Sequence, residues 1–162
     1  MIAEFPEKGR ADQIRVSLGP GSFTGVRIGL AVARALGVAW QTDVRGYPTL
    51  ALVAAMAGSM EGRAVTVCMT GGHGEWFVQN FGASGLPMDD VESLTPGIAA
   101  GRKLQDLLAG SKADELGKLV QCDPSVVTLP DARHVLRLPE GLLRDQLTPL
   151  YGRAPDAKLP NS

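Results

Sequence analysis

From residue 13 an alternating segment runs straight into a glycine-rich loop and then into a long stretch free of helix breakers. No other part of the sequence constrains the fold as much. Residues 13–18 set Ile14, Val16 and Leu18 against polar neighbours, the period-two pattern of a half-buried strand. Gly19-Pro20-Gly21-Ser22-Phe23-Thr24-Gly25 is a tight loop. Residues 26–40 then place apolar groups at Ile28, Val32, Leu36 and Ala39, a helix that Ser22 or Thr24 can cap by accepting a bond from an orphan N–H.

Downstream, Asp43-Val44-Arg45-Gly46-Tyr47-Pro48 reads as a turn-rich joint, and Thr49 caps a second helix over 50–60. Residues 64–69 are β-branched and alternating. Thr70 to Gly74 reads as a hairpin turn into a further strand over 75–81, and 82–97 is loop-like. The pattern then predicts helices over 98–108, 131–138 and 142–147, a helix or turn over 112–119, and a short strand at Val126-Val127. Strand–loop–helix–helix, strand–strand, then helices is the order of an α/β or α+β layered domain.

Composition removes several classes. The 162 residues are 44% hydrophobic and 20% charged, so a disordered tail, a coiled coil and a collagen-like fibre are excluded. No apolar run reaches the roughly 20 residues of a membrane span. Sixteen basic and seventeen acidic residues give a net charge of −1, which disfavours strong non-specific nucleic-acid binding. Cys68 and Cys122 form no C-x-x-C pair, and the first ten residues have no apolar signal-like core. Both features suit a reducing cytoplasm.

A glycine loop at a helix N-terminus offers backbone N–H groups to an anion. The P-loop pattern fails, because Val26 and Arg27 follow Gly25 where a Lys and a magnesium-binding hydroxyl belong. Gly19, Gly21 and Gly25 come nearer to a dinucleotide fingerprint, with Asp43 at a ribose-like distance, yet Pro20 removes an N–H and residues 38–42 make a poor second strand. A tight strand-to-helix turn needs the same glycines for steric reasons alone. In the helix, Gly29, Ala33 and Gly37 form a stripe of very small side chains, and the second helix repeats it with Ala51, Ala54, Ala55 and Gly58. Glycine within a helix costs up to about 1 kcal/mol, so a close backbone contact is expected to compensate. That contact is either a helix–helix interface with a partner or packing within the chain.

Catalytic candidates are thin. His73 and His134 lie far apart and in no metal-ligand spacing, His73 among turn glycines and His134 beside Arg133. Ser22 is not in G-x-S-x-G, and Asp89-Asp90 reads as solvated surface. Arg133, Arg137, Arg144 and Arg153 make the C-terminal quarter locally basic.

The segment Gly19-Pro-Gly-Ser-Phe-Thr-Gly-Val-Arg-Ile-Gly-Leu-Ala-Val-Ala-Arg-Ala-Leu-Gly37 closely resembles the signature of the TsaB (YeaZ) family, and Pro149-Leu-Tyr-Gly-Arg-Ala-Pro-Asp-Ala-Lys158 is similar to its C-terminal motif. The resemblance implies an actin-like ATPase (ASKHA, ribonuclease H-like) α/β fold of two lobes, here 1–62 and 63–162. It implies a role in forming threonylcarbamoyladenosine at position 37 of ANN-decoding tRNAs, as a non-catalytic partner of TsaD. TsaE joins the same complex, the chain pairs with itself when alone, and tRNA is met through the complex. No catalytic residue, metal or cofactor is implied, although the loop of Gly19, Gly21, Ser22, Thr24 and Gly25 leaves room for weak nucleotide binding. By the same resemblance Gly29, Leu30, Ala33, Arg34, Gly37, Ala51, Ala54 and Gly58 form the partner interface. Two departures stand out. Family members usually carry an Asp-Thr-Ser strand and further strands before the glycine loop, so a first-lobe sheet with an unpaired edge is expected here. The family's Asp-Ala-Arg before the second-lobe hairpin is replaced by Cys68-Met69-Thr70. The rival readings are a nucleotide-binding α/β enzyme using residues 19–25 and a peptidase-like hydrolase.

Overall fold

The structure is a computed structural model that describes residues 9–58, 62–122, 125–126 and 128–152. Strand β1 (Gln13–Gly19) leads through the glycine loop into helix α1 (Phe23–Trp40), and the chain returns as β2 (Asp43–Pro48). The two strands are parallel, with Gln13 opposite Asp43 and Ser17 opposite Tyr47. Parallel neighbours need a crossover of this kind, and α1 supplies it by packing on β1. Helix α2 (Thr49–Ala57) follows without a loop.

The second sheet is assembled from β3 (Val65–Thr70), β4 (Trp76–Phe81), β5 (Glu92–Leu94), β6 (Leu107–Ala109) and β7 (Ser125–Val126) in the order β5-β4-β3-β6-β7. β3 and β4 form an antiparallel hairpin, whereas β6 joins β3 in parallel. Helices α3 (Pro96–Ala100) and α4 (Ala113–Val120) cover its far face.

The alternation along β3 sorts its side chains into two cores. Val65 and Val67 meet Phe77, Phe81, Leu107 and the whole of α2, while Cys68 turns the other way toward Trp76, Leu108, Ala99 and Leu116. The layers are therefore α1, first sheet, α2, second sheet, and α3 with α4. Seven consecutive residues of α2, Thr49 to Ala55, are buried, because a helix held between two sheets has no solvent side. Its Leu50, Leu52 and Val53 each contribute roughly 1.5–3 kcal/mol by leaving water.

Several expectations are corrected. Asp43–Pro48 is a strand rather than a turn-rich joint. Its Gly46 is required because a Cβ there would collide with the buried Leu18 side chain, not because the chain turns. Thr49 is the first helical residue and Pro48 the cap; the Thr49 hydroxyl instead meets Ser17 Oγ at 2.6 Å. The helix expected over 98–108 stops at Ala100. Leu107–Ala109 pairs with β3, as a short, fully apolar run does when it enters a sheet core. Within the loop expected over 82–97 lies β5, and the helices expected over 131–138 and 142–147 are short 3₁₀ turns at Ala132–Arg137 and Glu140–Leu142. Beyond them Arg144 bridges Gly46 on the outer edge of β2, with N···O distances of 2.8 and 2.9 Å. The expected end of α2 at Met60, Val127, Arg153 and the rest of the C-terminal motif lie outside the described residues.

Candidate functional site

The glycine loop and α1 sit where the first sheet meets the C-terminal tail. Of the two caps the sequence offers, Ser22 is the one used, its Oγ accepting from the Gly25 N–H at 3.3 Å, while Thr24 lies inside α1, which starts three residues earlier than expected. Gly19 has φ +97°, and a Cβ there would stand 2.7 Å from the Leu150 carbonyl oxygen, so the backbone demands glycine at this position. Leu150 donates its N–H to the Leu18 carbonyl at 2.7 Å, which ties the tail across the end of β1. No such collision exists at Gly21, where the nearest atom is 3.8 Å away. Gly21, Ser22, Thr24 and Gly25 are all exposed.

The dinucleotide geometry is not formed. Asp43 begins β2 opposite Gln13, at the far end of the sheet from Gly19. At about 3.3 Å per residue that is roughly 20 Å from the loop, beyond the reach of a carboxylate to a ribose held there. Among the described residues no three His, Cys, Asp or Glu side chains gather as metal ligands. Asp89 is half-buried rather than a solvated acid. It accepts from the Asn80 backbone N–H at 2.8 Å, from Asn80 Nδ2 at 2.7 Å and from Arg102 Nη2 at 2.9 Å. Those bonds use it to fasten the segment after β4, and Arg102 also meets Glu92. A cleft of 420 Å³ beside the loop is lined by Pro20, Pro48, Gln79, Asp90, Arg144 and Tyr151, among others.

The small-residue stripe of α1 divides the helix in an unforeseen way. Leu30, Ala33 and Gly37 are buried against the chain's own first sheet. A Cβ on Gly37 would collide with Val44, and one on Gly29 would touch Val16 Cγ2 at 3.9 Å. Ala51 and Ala54 are 1% and 0% exposed inside the core, and Gly58 is buried. These residues therefore bring helix and strand close within one chain. What α1 turns outward is the opposite face: Ile28, Val32 and Val38 are 59%, 52% and 82% exposed, with Ala31, Ala35 and Ala39 among them.

This outer face carries no charge. The two cations of α1, Arg27 and Arg34, lie on one flank, where Arg34 Nη2 donates to the Leu147 carbonyl at 2.7 Å and Arg27 Nη2 to Tyr151 Oη at 3.1 Å. Arg27 also lies 3.6 Å above the Phe23 ring, whose centroid is 5.6 Å from that of Tyr151. By length and composition alone α1 could cross a membrane, against the expectation drawn from unbroken apolar runs; one of its apolar faces packs on the sheet. Ile28 and Val32 are visible in the sequence as helix-periodic apolar residues, but periodicity does not say which side of an all-apolar helix meets the sheet. The Phe23–Arg27–Tyr151 cluster joins segments far apart in sequence and had no local signal.

The family model described as TsaD, tRNA N6-adenosine threonylcarbamoyltransferase, matches residues 7–94, more than half of the chain. The chain belongs to that family, and its five layers are an actin-like, ASKHA-type α/β fold. Within it the chain is a TsaB/YeaZ-like protein. YeaZ from Pseudomonas aeruginosa is similar with a TM-score of 0.69 and 25% identity, over 87% of this chain and 73% of that one. An uncharacterized protein with similarity to peptidase YEAZ from Pseudomonas aeruginosa is similar with a TM-score of 0.70 and 25% identity, over 88% and 74%. No curated protein matches. The likeness points to a TsaB-type role in tRNA modification.

Proposed function

We propose that the chain is a non-catalytic subunit of the complex that forms threonylcarbamoyladenosine on tRNA, docking on a catalytic TsaD through the outer face of α1. The observation that carries this reading is the uncharged strip of Ile28, Ala31, Val32, Ala35 and Val38, exposed along a helix about 27 Å long. Apolar side chains exposed contiguously along one helix face, rather than scattered singly, mark interaction sites. Membership of the TsaD family supports the choice of occupant. Two chains of one fold can meet through equivalent helices about a pseudo-twofold axis, so the same face serves a second copy when TsaD is absent. TsaE and tRNA join through the assembled complex. The buried residues Leu30, Ala33, Gly37, Ala51, Ala54 and Gly58 set the shape of the face from behind instead of touching the partner.

The experiment is light scattering coupled to size exclusion, on the chain alone and mixed with its cognate TsaD. A heterodimer that displaces a homodimer supports the reading. A monomer that ignores TsaD refutes it.

A further inference from the structure

The aromatic and basic flank at the start of α1 lies beside the proposed docking face and is not used by it. Phe23 and Tyr151 are 55% and 48% exposed, unusual for rings that could have been buried. They lie 5.6 Å apart at an interplanar angle of 30°, and the Arg27 guanidinium covers Phe23 at 3.6 Å while donating to Tyr151 Oη at 3.1 Å. The three groups thus form a pre-ordered surface of flat π systems drawn from two distant segments. Little side-chain freedom remains to be lost on binding.

Helix α1 brings only positive charge to this flank, while Asp89 and Asp90 line the neighbouring cleft that Tyr151 shares. Helix α1 contains no acidic residue. Arg27 and Arg34 bond only to neutral oxygens, and neither has a carboxylate partner among the described residues, a condition they share with Arg10, Arg63, Arg137 and Arg144 but not with Arg15, Arg45, Arg102 and Arg133. Seven positions apart on one flank, they stand about 10 Å from each other along the helix axis. Both are exposed to solvent, in a chain whose net charge is −1.

We infer that Phe23, Arg27 and Tyr151, extended by Arg34, bind single-stranded or loop RNA directly, the rings and guanidinium stacking on bases and the arginines meeting phosphates. Unstacked bases are recognised by aromatic and arginine planes of this kind, and a compact basic flank supplies backbone contacts even in a near-neutral protein. The inference rests on the tRNA-modification reading and deepens it, because it places an RNA contact on this chain and not only on its partner. A protein partner would also use aromatic and arginine anchors. The uncompensated charge favours RNA.

The test is fluorescence anisotropy of the full chain titrated into a short, unstructured, dye-labelled RNA, with circular dichroism confirming that each variant keeps its helix content. Phe23→Ala is expected to weaken binding about tenfold or more, within the range of one lost base stack. Arg27→Ala should lower the dependence of log K on log salt by about 0.7 for one phosphate contact on a single strand. Arg27→Lys should keep that salt dependence and lose part of the affinity. Equal affinity of wild type and Phe23→Ala, or no binding by wild type at low salt, overturns the inference. So does a Phe23→Ala variant that loses TsaD association while its RNA affinity is unchanged. RNA binding that fails while TsaD association persists sinks this inference alone; loss of TsaD association by wild type sinks the subunit reading instead.

Discussion

Replacing Gly46 by alanine tests the claim that this glycine is set by packing and not by a turn. Its Cβ would enter the space of Leu18, whose Cγ and Cδ1 would lie at 2.6 and 2.8 Å, and Leu18 is fully buried. Overpacking of this kind costs about 1–3 kcal/mol, offset by about 0.4–1 kcal/mol from the less flexible unfolded chain. The net loss should be about 1–2 kcal/mol, or roughly 2–8 °C in Tm for a chain of this size. Leu18→Ala alone should cost about 2–5 kcal/mol by opening a cavity. In the double variant the methyl introduced at position 46 enters the vacated space, so the two losses should fall short of additivity by about 1–2 kcal/mol. Urea unfolding of the four proteins measures that coupling. Strict additivity, or a Gly46→Ala variant as stable as wild type, would refute the reasoning.

Three further outcomes are expected. Burial, with the charge of Glu115 second, pushes the Cys68 thiol up to about 12. The unfolded thiol ionises near 9, so its neutral form stabilises the fold fully below pH 9, and this contribution is lost between pH 9 and 12 at about 1.4 kcal/mol per unit; unfolding curves of Cys68→Ala should fall less steeply over that window. Asp89→Ala leaves two Asn80 donors and one bond of Arg102 without their acceptor, and should lower stability by about 2–4 kcal/mol, read as a Tm fall of roughly 5–15 °C. Arg34→Ala removes the bond to the Leu147 carbonyl and should speed proteolytic cleavage near that residue, with a stability change under about 1 kcal/mol.

The β1–loop–α1 unit was legible because three signals agree there: alternation in Ile14, Val16 and Leu18, glycine where φ must be positive, and Ser22 at the cap. The β3–β4 hairpin was legible from its β-branched and aromatic runs and the glycines between them. β2 was hidden because Gly46 and Pro48 look like punctuation, although one answers to Leu18 and the other ends the strand. β6 was hidden because Leu107, Leu108 and Ala109 are buried on both faces, and a short all-apolar run has no period to read. At the candidate site the small residues of α1 could be seen, but not their direction. Val16 and Val44 come close to Gly29 and Gly37, and that tertiary fact turns Ile28, Val32 and Val38 outward.

The central claim is that the outward face of α1 is the docking surface. Calorimetric titration of cognate TsaD with wild type and with Val32→Asp tests it most directly, since Val32 is 52% exposed and its substitution leaves the chain's own core intact. A carboxylate buried without a partner in the complex costs about 3–5 kcal/mol, so the variant should bind at least a hundredfold more weakly while its own Tm is unchanged. Equal affinity of the two proteins for TsaD would contradict the account.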